Sequence, residues 1–231
     1  MRITLSTGTP AEVARPSNAE PTRGLVLLPD IGGLRPLFDD HARRLADELG
    51  WVVVAPEPWP GREQLELAER LESVKTLRDD DKRADLLAAA ELTGCEAVGV
   101  MGFCMGGMYA MKAASTGRFD AAVSFYGMIR VPEAWRAPHQ EDAINSVAAE
   151  GACPVLAICG TEDPWLPAEE VDELEAVASV VRYPGADHGF AHAPDRPSYR
   201  PDDAADAWAR ALSFLSSGGA TQGAPSTPGS T

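Results

Sequence analysis

The sequence predicts an α/β fold: a mostly parallel central sheet flanked by helices on both faces, in a three-layer sandwich. Short apolar runs alternate with helical patterns along most of the chain, as expected when parallel strands are joined by crossover helices. Proline and glycine clusters end several of those runs, and one run passes through a glycine-rich turn straight into a small-residue helix. At 231 residues and 45% hydrophobic, the chain is long enough for one domain with a large core.

Gly24 to Leu28 reads as the first clear strand, broken by Pro29-Asp30-Ile31-Gly32-Gly33. Phe38 to Leu49 has helical spacing, with Phe38, Ala42, Leu45, Ala46 and Leu49 on one face and Gly50 as its stop. Trp51 to Ala55 is a β-branched strand closed by Pro56 to Gly61. Glu63 to Leu92 is helix-rich and charged, with a break expected near Arg78 to Asp81. Strands follow at Ala97 to Met101, Ala121 to Tyr126, Val155 to Cys159 and Ser179 to Tyr183, with a helix at Met108 to Ala114. Tyr126 to Gly151 is expected to carry loops and a short helix over the site. Asp202 to Leu215 closes the chain as a helix. Residues 1–215 are thus expected to form a single domain. Ser216 to Thr231, all small or polar, are expected to be disordered.

Composition excludes several functions. A net charge of −15 disfavours nucleic acid and anionic membrane surfaces as partners. It also gives no general steering of anionic substrates, so any such recognition must be local. No apolar run approaches the ~18 residues of a membrane span. Met1 to Leu5 lack the apolar core of a signal peptide, and a cytoplasmic location is expected. Cysteines 95, 104, 153 and 159 show no CxxC pair or zinc spacing and are expected to be free thiols.

The most informative segment is Gly102-Phe103-Cys104-Met105-Gly106-Gly107, between an apolar strand and a helix. Glycine, any residue, a nucleophile, any residue and glycine make a nucleophile elbow, which predicts an α/β-hydrolase fold. The turn holds the nucleophile above the sheet edge, and flanking Cβ atoms would collide with neighbouring backbone. The helix that follows points free N–H groups at the site. The nucleophile here is Cys104 rather than serine. Buried cysteine is often only a small core residue. A later acid and base, in the order nucleophile, acid, base, separate the two readings.

An ordinary thiol, with a pKa of about 8.5, is mostly protonated at neutral pH and needs a partner base. His188 follows the strand Ser179 to Tyr183 across Pro184-Gly185-Ala186-Asp187, where the last strand of such a fold delivers its base. His41 lies in a polar helical segment and His139 in a proline-flanked loop. The orienting acid should follow the preceding strand, and Asp163 precedes a proline there; Glu162 and Asp187 are its rivals.

Gly102 to Gly107, Gly160-Thr161-Glu162-Asp163 and Ala186-Asp187-His188-Gly189-Phe190-Ala191 together resemble the dienelactone hydrolase family, the carboxymethylenebutenolidases. The match runs from about Leu25 to Leu215. It implies a Cys104–His188–Asp163 triad that hydrolyses an ester or a carboxylate-bearing enol-lactone, as in the breakdown of catechols, with no cofactor and no metal. It also implies backbone oxyanion donors at Ile31 and Met105, and an acid at Asp30 contacting the resting cysteine. Asp30 as a helix cap is the alternative. The family holds the substrate carboxylate with two arginines. Arg62 is a candidate for one, and His192 stands at the place of the other; Arg35 is a fallback. Gly189 stands where the family has a small hydroxyl residue. His188 and His192 at i, i+4 near Asp187 lack a third zinc ligand. The implied partner is a small-molecule ester or lactone, and the expected state a monomer or small homo-oligomer. An esterase or thioesterase of other specificity, a non-catalytic ligand-binding homologue and a thiol redox protein are the competing readings. The redox reading lacks a resolving cysteine near Cys104.

Overall fold

The structure, a computed structural model, describes residues 1–17 and 20–219, and within them eight strands form one sheet. They are β1 (Arg2–Thr4), β2 (Pro10–Ala14), β3 (Gly24–Leu28), β4 (Val52–Pro56), β5 (Val98–Phe103), β6 (Ala121–Phe125), β7 (Val155–Gly160) and β8 (Ser179–Tyr183). Their order is β1-β2-β4-β3-β5-β6-β7-β8. β1 and β2 are antiparallel to their neighbours, and β4 through β8 run parallel. β3, β4, β5, β6 and β7 are buried at every position, as strands covered on both faces must be. No helix among the described residues is long and apolar enough to cross a membrane.

Among the described residues seven α-helices accompany the sheet: α1 (Pro36–Leu49), α2 (Leu67–Ser73), α3 (Asp79–Thr93), α4 (Met105–Lys112), α5 (Ala143–Val147), α6 (Ala168–Glu175) and α7 (Pro201–Ser216). β5 shows how they are layered, because successive strand residues point to opposite faces. Gly99 meets Leu215 of α7, and Phe103 meets Phe38 of α1 and Trp208 of α7. Gly102, of opposite parity, meets Gly106 of α4. Gly24, paired with Val98, meets Thr93 of α3 on that same face. Thus α1 and α7 cover one side, and α3 and α4 the other. His41 packs on Trp208 to join the first pair, and Lys112 binds Asp79 at 2.9 Å to join the second.

The chain leaves β3 for β4 on one side, then returns to lay β5 on the other. That reversal opens a crevice at the C-terminal ends of β3 and β5. The loop Pro29–Gly33 and Cys104 meet there.

Several elements differ from the sequence expectation. β1 is three residues long and β2 opens on a proline and contains Glu12, so neither carries a strong apolar signal. α6 went unread because its buried stripe is only Val171 and Leu174. The elbow helix starts at Met105 rather than Met108, since the turn itself initiates it. The helix-rich stretch breaks at Leu77–Arg78, between a short 3-10 turn and α3. Ser216 ends α7, and Ser217 to Gly219 turn back onto it, with Gly218 N and Gly219 N donating to Leu215 O and Phe214 O. The remaining expected tail, 220–231, lies outside the described residues.

Candidate active site

The elbow sets the site. Cys104 has φ 56° and ψ −121°, a conformation worth about 1–3 kcal/mol of strain for a residue with a Cβ. It is pinned on both sides: Cys104 N donates to Phe125 O at 3.0 Å, and Met108 N donates to Cys104 O at 3.0 Å. The turn closes only because of its glycines. A Cβ on Gly102 would lie 2.1 Å from Gly106 O, and one on Gly106 would lie 2.4 Å from Pro29 O. The second contact locks α4 against the loop after β3.

The N–H groups of Ile31 and Met105 have no hydrogen-bond partner among the described residues. The Ile31 carbonyl accepts from Trp59 Nε1 at 2.8 Å and Arg70 Nη1 at 3.2 Å, which fixes the loop that presents its N–H.

β7 and β8 deliver the acid and the base. His188 Nδ1 donates to Asp163 Oδ2 at 2.8 Å, and Asp163 Oδ1 accepts Trp165 N at 2.9 Å. Of the three carboxylates open in the sequence, Asp163 is the one that reaches the imidazole. Glu162 is exposed, and among the described residues Asp187 accepts only the His188 backbone N–H. Burial disfavours a charged His188, but Asp163 and the neighbouring Cys104 sulfur outweigh it and raise the imidazole pKa to about 10. Tyr126, at φ 40°, sets its ring edge-on to His188 with centroids 5.2 Å apart. Trp165, stacked on Trp135 at 5.3 Å, lies 6.5 Å from the same imidazole, centroid to centroid.

Behind this cluster runs a buried polar chain. Tyr126 O–H donates to His192 Nδ1, and His192 Nε2–H donates to Asp30 Oδ2 at 2.8 Å. Arg35 grips Asp30 through both oxygens, at 2.6 and 2.8 Å, and Gly32 N adds a third bond. Asp30 is therefore held charged, well below the usual carboxylate range: burial opposes this, but His192 and Arg35 outweigh it. Burial depresses the His192 pKa and keeps that ring neutral, despite Asp30.

A model of the family described as "Dienelactone hydrolase family" matches residues 9–218. The chain belongs to the dienelactone hydrolase family. It is 29% identical over 221 residues to a Bradyrhizobium protein named "Probable 2-oxo-3-(5-oxofuran-2-ylidene)propanoate lactonase", covering 89% of this chain and 88% of that one. It is 29% identical over 207 residues to a Rhodococcus opacus carboxymethylenebutenolidase, covering 83% and 79%. Among solved structures, the "Putative Dienelactone Hydrolase" of Klebsiella pneumoniae superposes with a TM-score of 0.84 at 26% identity, covering 94% and 97%. The protein is a dienelactone hydrolase-like hydrolase with an α/β-hydrolase fold.

Against this family background, the remaining residues singled out in the sequence fall in different places. Asp30 and His192 meet each other inside the protein, and both His192 nitrogens are engaged, so the ring offers no free donor to a substrate carboxylate. Arg62 donates to Thr76 Oγ1 at 2.9 Å and covers Trp59, lining a cavity that holds Thr7, Thr9, Arg78 and Asp81 rather than Cys104. Sequence reading missed Tyr126 and Trp165 as site residues. The signal for Tyr126 is its place between a strand and Gly127; Trp165 stands two residues past Asp163 in the same loop. The four cysteines are free. Burial pushes the Cys153 thiol up to about 11 and Cys159 up to about 12, which makes both poor nucleophiles.

Proposed function

We propose that this enzyme hydrolyses an ester or enol-lactone with Cys104 as nucleophile, His188 as acid and base, and Asp163 as orienting acid. One observation carries the reading: the Asp163–His188 hydrogen bond aims an imidazole at a cysteine held in a strained elbow. The Cys104 thiolate attacks the carbonyl carbon, and the N–H groups of Ile31 and Met105 hold the oxyanion. The intermediate collapses with cleavage of the C–O bond, and the leaving enolate takes a proton from the His188 imidazolium. This leaves a thioester on Cys104. Neutral His188 then takes a proton from water as the water oxygen attacks the thioester. The C–S bond breaks, releasing the acid and restoring the thiolate–imidazolium pair. An enol leaving group is a weak base, so a soft thiolate suffices as nucleophile.

Names of relatives support a lactone substrate, since lactonase and carboxymethylenebutenolidase both denote lactone opening. A cytoplasmic, cofactor-free enzyme acting on products of aromatic ring cleavage fits the reading. The test is turnover of an ylidene-butenolide by wild type, Cys104→Ala and His188→Ala. Loss of a nucleophile or base that acts as part of a unit costs about 10³-fold or more. Near-normal turnover by Cys104→Ala with a native circular dichroism spectrum sinks the mechanism. A mass shift matching one substrate on wild type, absent in Cys104→Ala, is expected on rapid quenching.

A further inference from the structure

The carboxylate that orients the base also holds an aromatic side chain in register with it. Asp163 Oδ2 accepts the His188 Nδ1 proton at 2.8 Å, and Asp163 Oδ1 accepts Trp165 N at 2.9 Å. Leu166 N donates to Asp163 O at 3.1 Å, and Pro164 and Pro167 stiffen the turn, so Trp165 is fixed relative to the imidazole. Leu166 turns inward and is buried, whereas Trp165 stays 37% exposed. Its indole is not loose. It stacks on the buried Trp135, with centroids 5.3 Å apart and planes 25° from parallel. Trp135 is anchored in turn, since its N–H donates to Pro132 O at 2.8 Å. The indole is thus backed by protein on one face and lies 6.5 Å from the His188 ring.

The strand order gives this wall a side. Cys104 follows β5. The loop carrying Ile31 follows β3, on one side of it, while Trp165 and His188 follow β7 and β8 on the other. In the mechanism above, the carbonyl oxygen turns toward the Ile31 N–H. The leaving oxygen must instead come within hydrogen-bond reach of His188, whose proton it takes. Whatever group is attached to that oxygen therefore lies on the Trp165 side of Cys104.

We propose that Trp165 is the specificity-determining residue for the leaving group, and that it selects esters of flat aromatic alcohols over those of aliphatic ones. The proposal rests on the hydrolase reading of the Cys104 site and adds a leaving-group class to it. The aryl ring lies against the indole in an offset stack while its phenolic oxygen meets His188. The Cys104 thiolate adds to the carbonyl carbon. The C–O bond then breaks with its electron pair on the phenolic oxygen, which takes the imidazolium proton, and the acyl group stays on Cys104 as a thioester. An aliphatic alcohol of the same acidity goes through the same step without the stack. The contact needs no charge on the substrate, which suits a protein of net charge −15.

The experiment compares phenyl acetate with hexafluoroisopropyl acetate, which share an acyl group and release alcohols of similar acidity. Deacylation is common to both, so kcat/KM reads the step in which the leaving group is still present. The aryl-to-alkyl ratio is expected to fall about tenfold in Trp165→Leu and to recover largely in Trp165→Phe. Phenyl benzoate against phenyl acetate varies the acyl group alone, and that ratio is expected to change by less than about twofold in Trp165→Leu. An aryl-to-alkyl ratio within about twofold of wild type in Trp165→Leu overturns the proposal, whether both rates are intact or both fall together. A loss confined to the benzoate overturns it too, since Trp165 would then face the acyl group. Should wild type cleave neither acetate, the hydrolase reading fails on its own, and binding of phenol, followed by NMR at the His188 Cε1 proton, still decides. Trp165→Leu is then expected to bind phenol about tenfold more weakly than wild type does. Equal affinities refute the role of Trp165.

Discussion

His188 keeps its proton to unusually high pH, because two neighbours outweigh its burial. Burial alone favours the neutral ring, while Asp163 and Cys104 favour the charged one and bring the pKa to about 10. In the unfolded chain the same group titrates near 6.5. Between those values the native state binds the extra proton. The stabilisation from His188 is therefore fully present below about pH 6.5 and is lost as pH rises through about 10. Removing the carboxylate while keeping the shape tests this. In Asp163→Asn the imidazole midpoint, followed by NMR at its Cε1 proton, should fall by about two units or more, because burial then meets less opposition. A variant that titrates where wild type does would show that Asp163 is not what holds the proton.

At the scale of elements, the strand-to-helix turn works as a clamp between β3, β5 and α4. Gly106 lies against Pro29 O and Leu28 O, so helix α4 and the loop carrying Ile31 are held at a fixed separation. That separation governs the spacing of the two N–H groups proposed to hold the oxyanion. Gly106→Ala must push them apart. Overpacking of this kind costs about 1–3 kcal/mol, a fall in Tm of roughly 2–12 °C for a chain of this size. The loss in kcat should exceed what that destabilisation explains. Gly117→Ala is the comparison: a Cβ there has open space around it, with strain only from φ +72°. It should lower Tm slightly and leave kcat near wild type. Equal losses of kcat in the two variants would show that the clamp does not set the donors.

Across the whole molecule, the sheet reversal between β3 and β5 brings residues from opposite ends of the sequence to one crevice. Asp30 and His192 are 162 residues apart and share a hydrogen bond of 2.8 Å. The C-terminal end shows the same economy. Gly219 packs on Pro154 and its N–H closes α7 at Phe214 O, so the folded part extends past Leu215. Residues 220–231 contain no large apolar side chain. Truncation after Gly219 is expected to leave Tm and turnover at wild-type values. Truncation after Leu215 removes the cap and should lower Tm by roughly 2–4 °C, the effect of about 1 kcal/mol. A large drop on removing 220–231 alone would mean that this segment docks on the domain.

The local half of this protein is legible in its sequence. The elbow, the strand positions and the order Cys104, Asp163, His188 depend on residues adjacent in the chain, where glycine sterics and apolar periodicity act directly. β3 and β8 match their sequence bounds, while β1, β2 and α6 carry too few apolar positions to be seen. Tertiary structure alone decided the partners. Asp163 rather than Glu162 or Asp187 meets the imidazole because of how two loops pack, and His192 turns inward because Tyr126 and Asp30 wait there. Arg62, adjacent in sequence to the loop ending β4, is drawn instead to Thr76 and Trp59. Sequence spacing fixes which face of a strand or helix a residue takes. Which distant side chain it meets depends on the burial of charge and the crossing of loops, and these exist only in the folded chain.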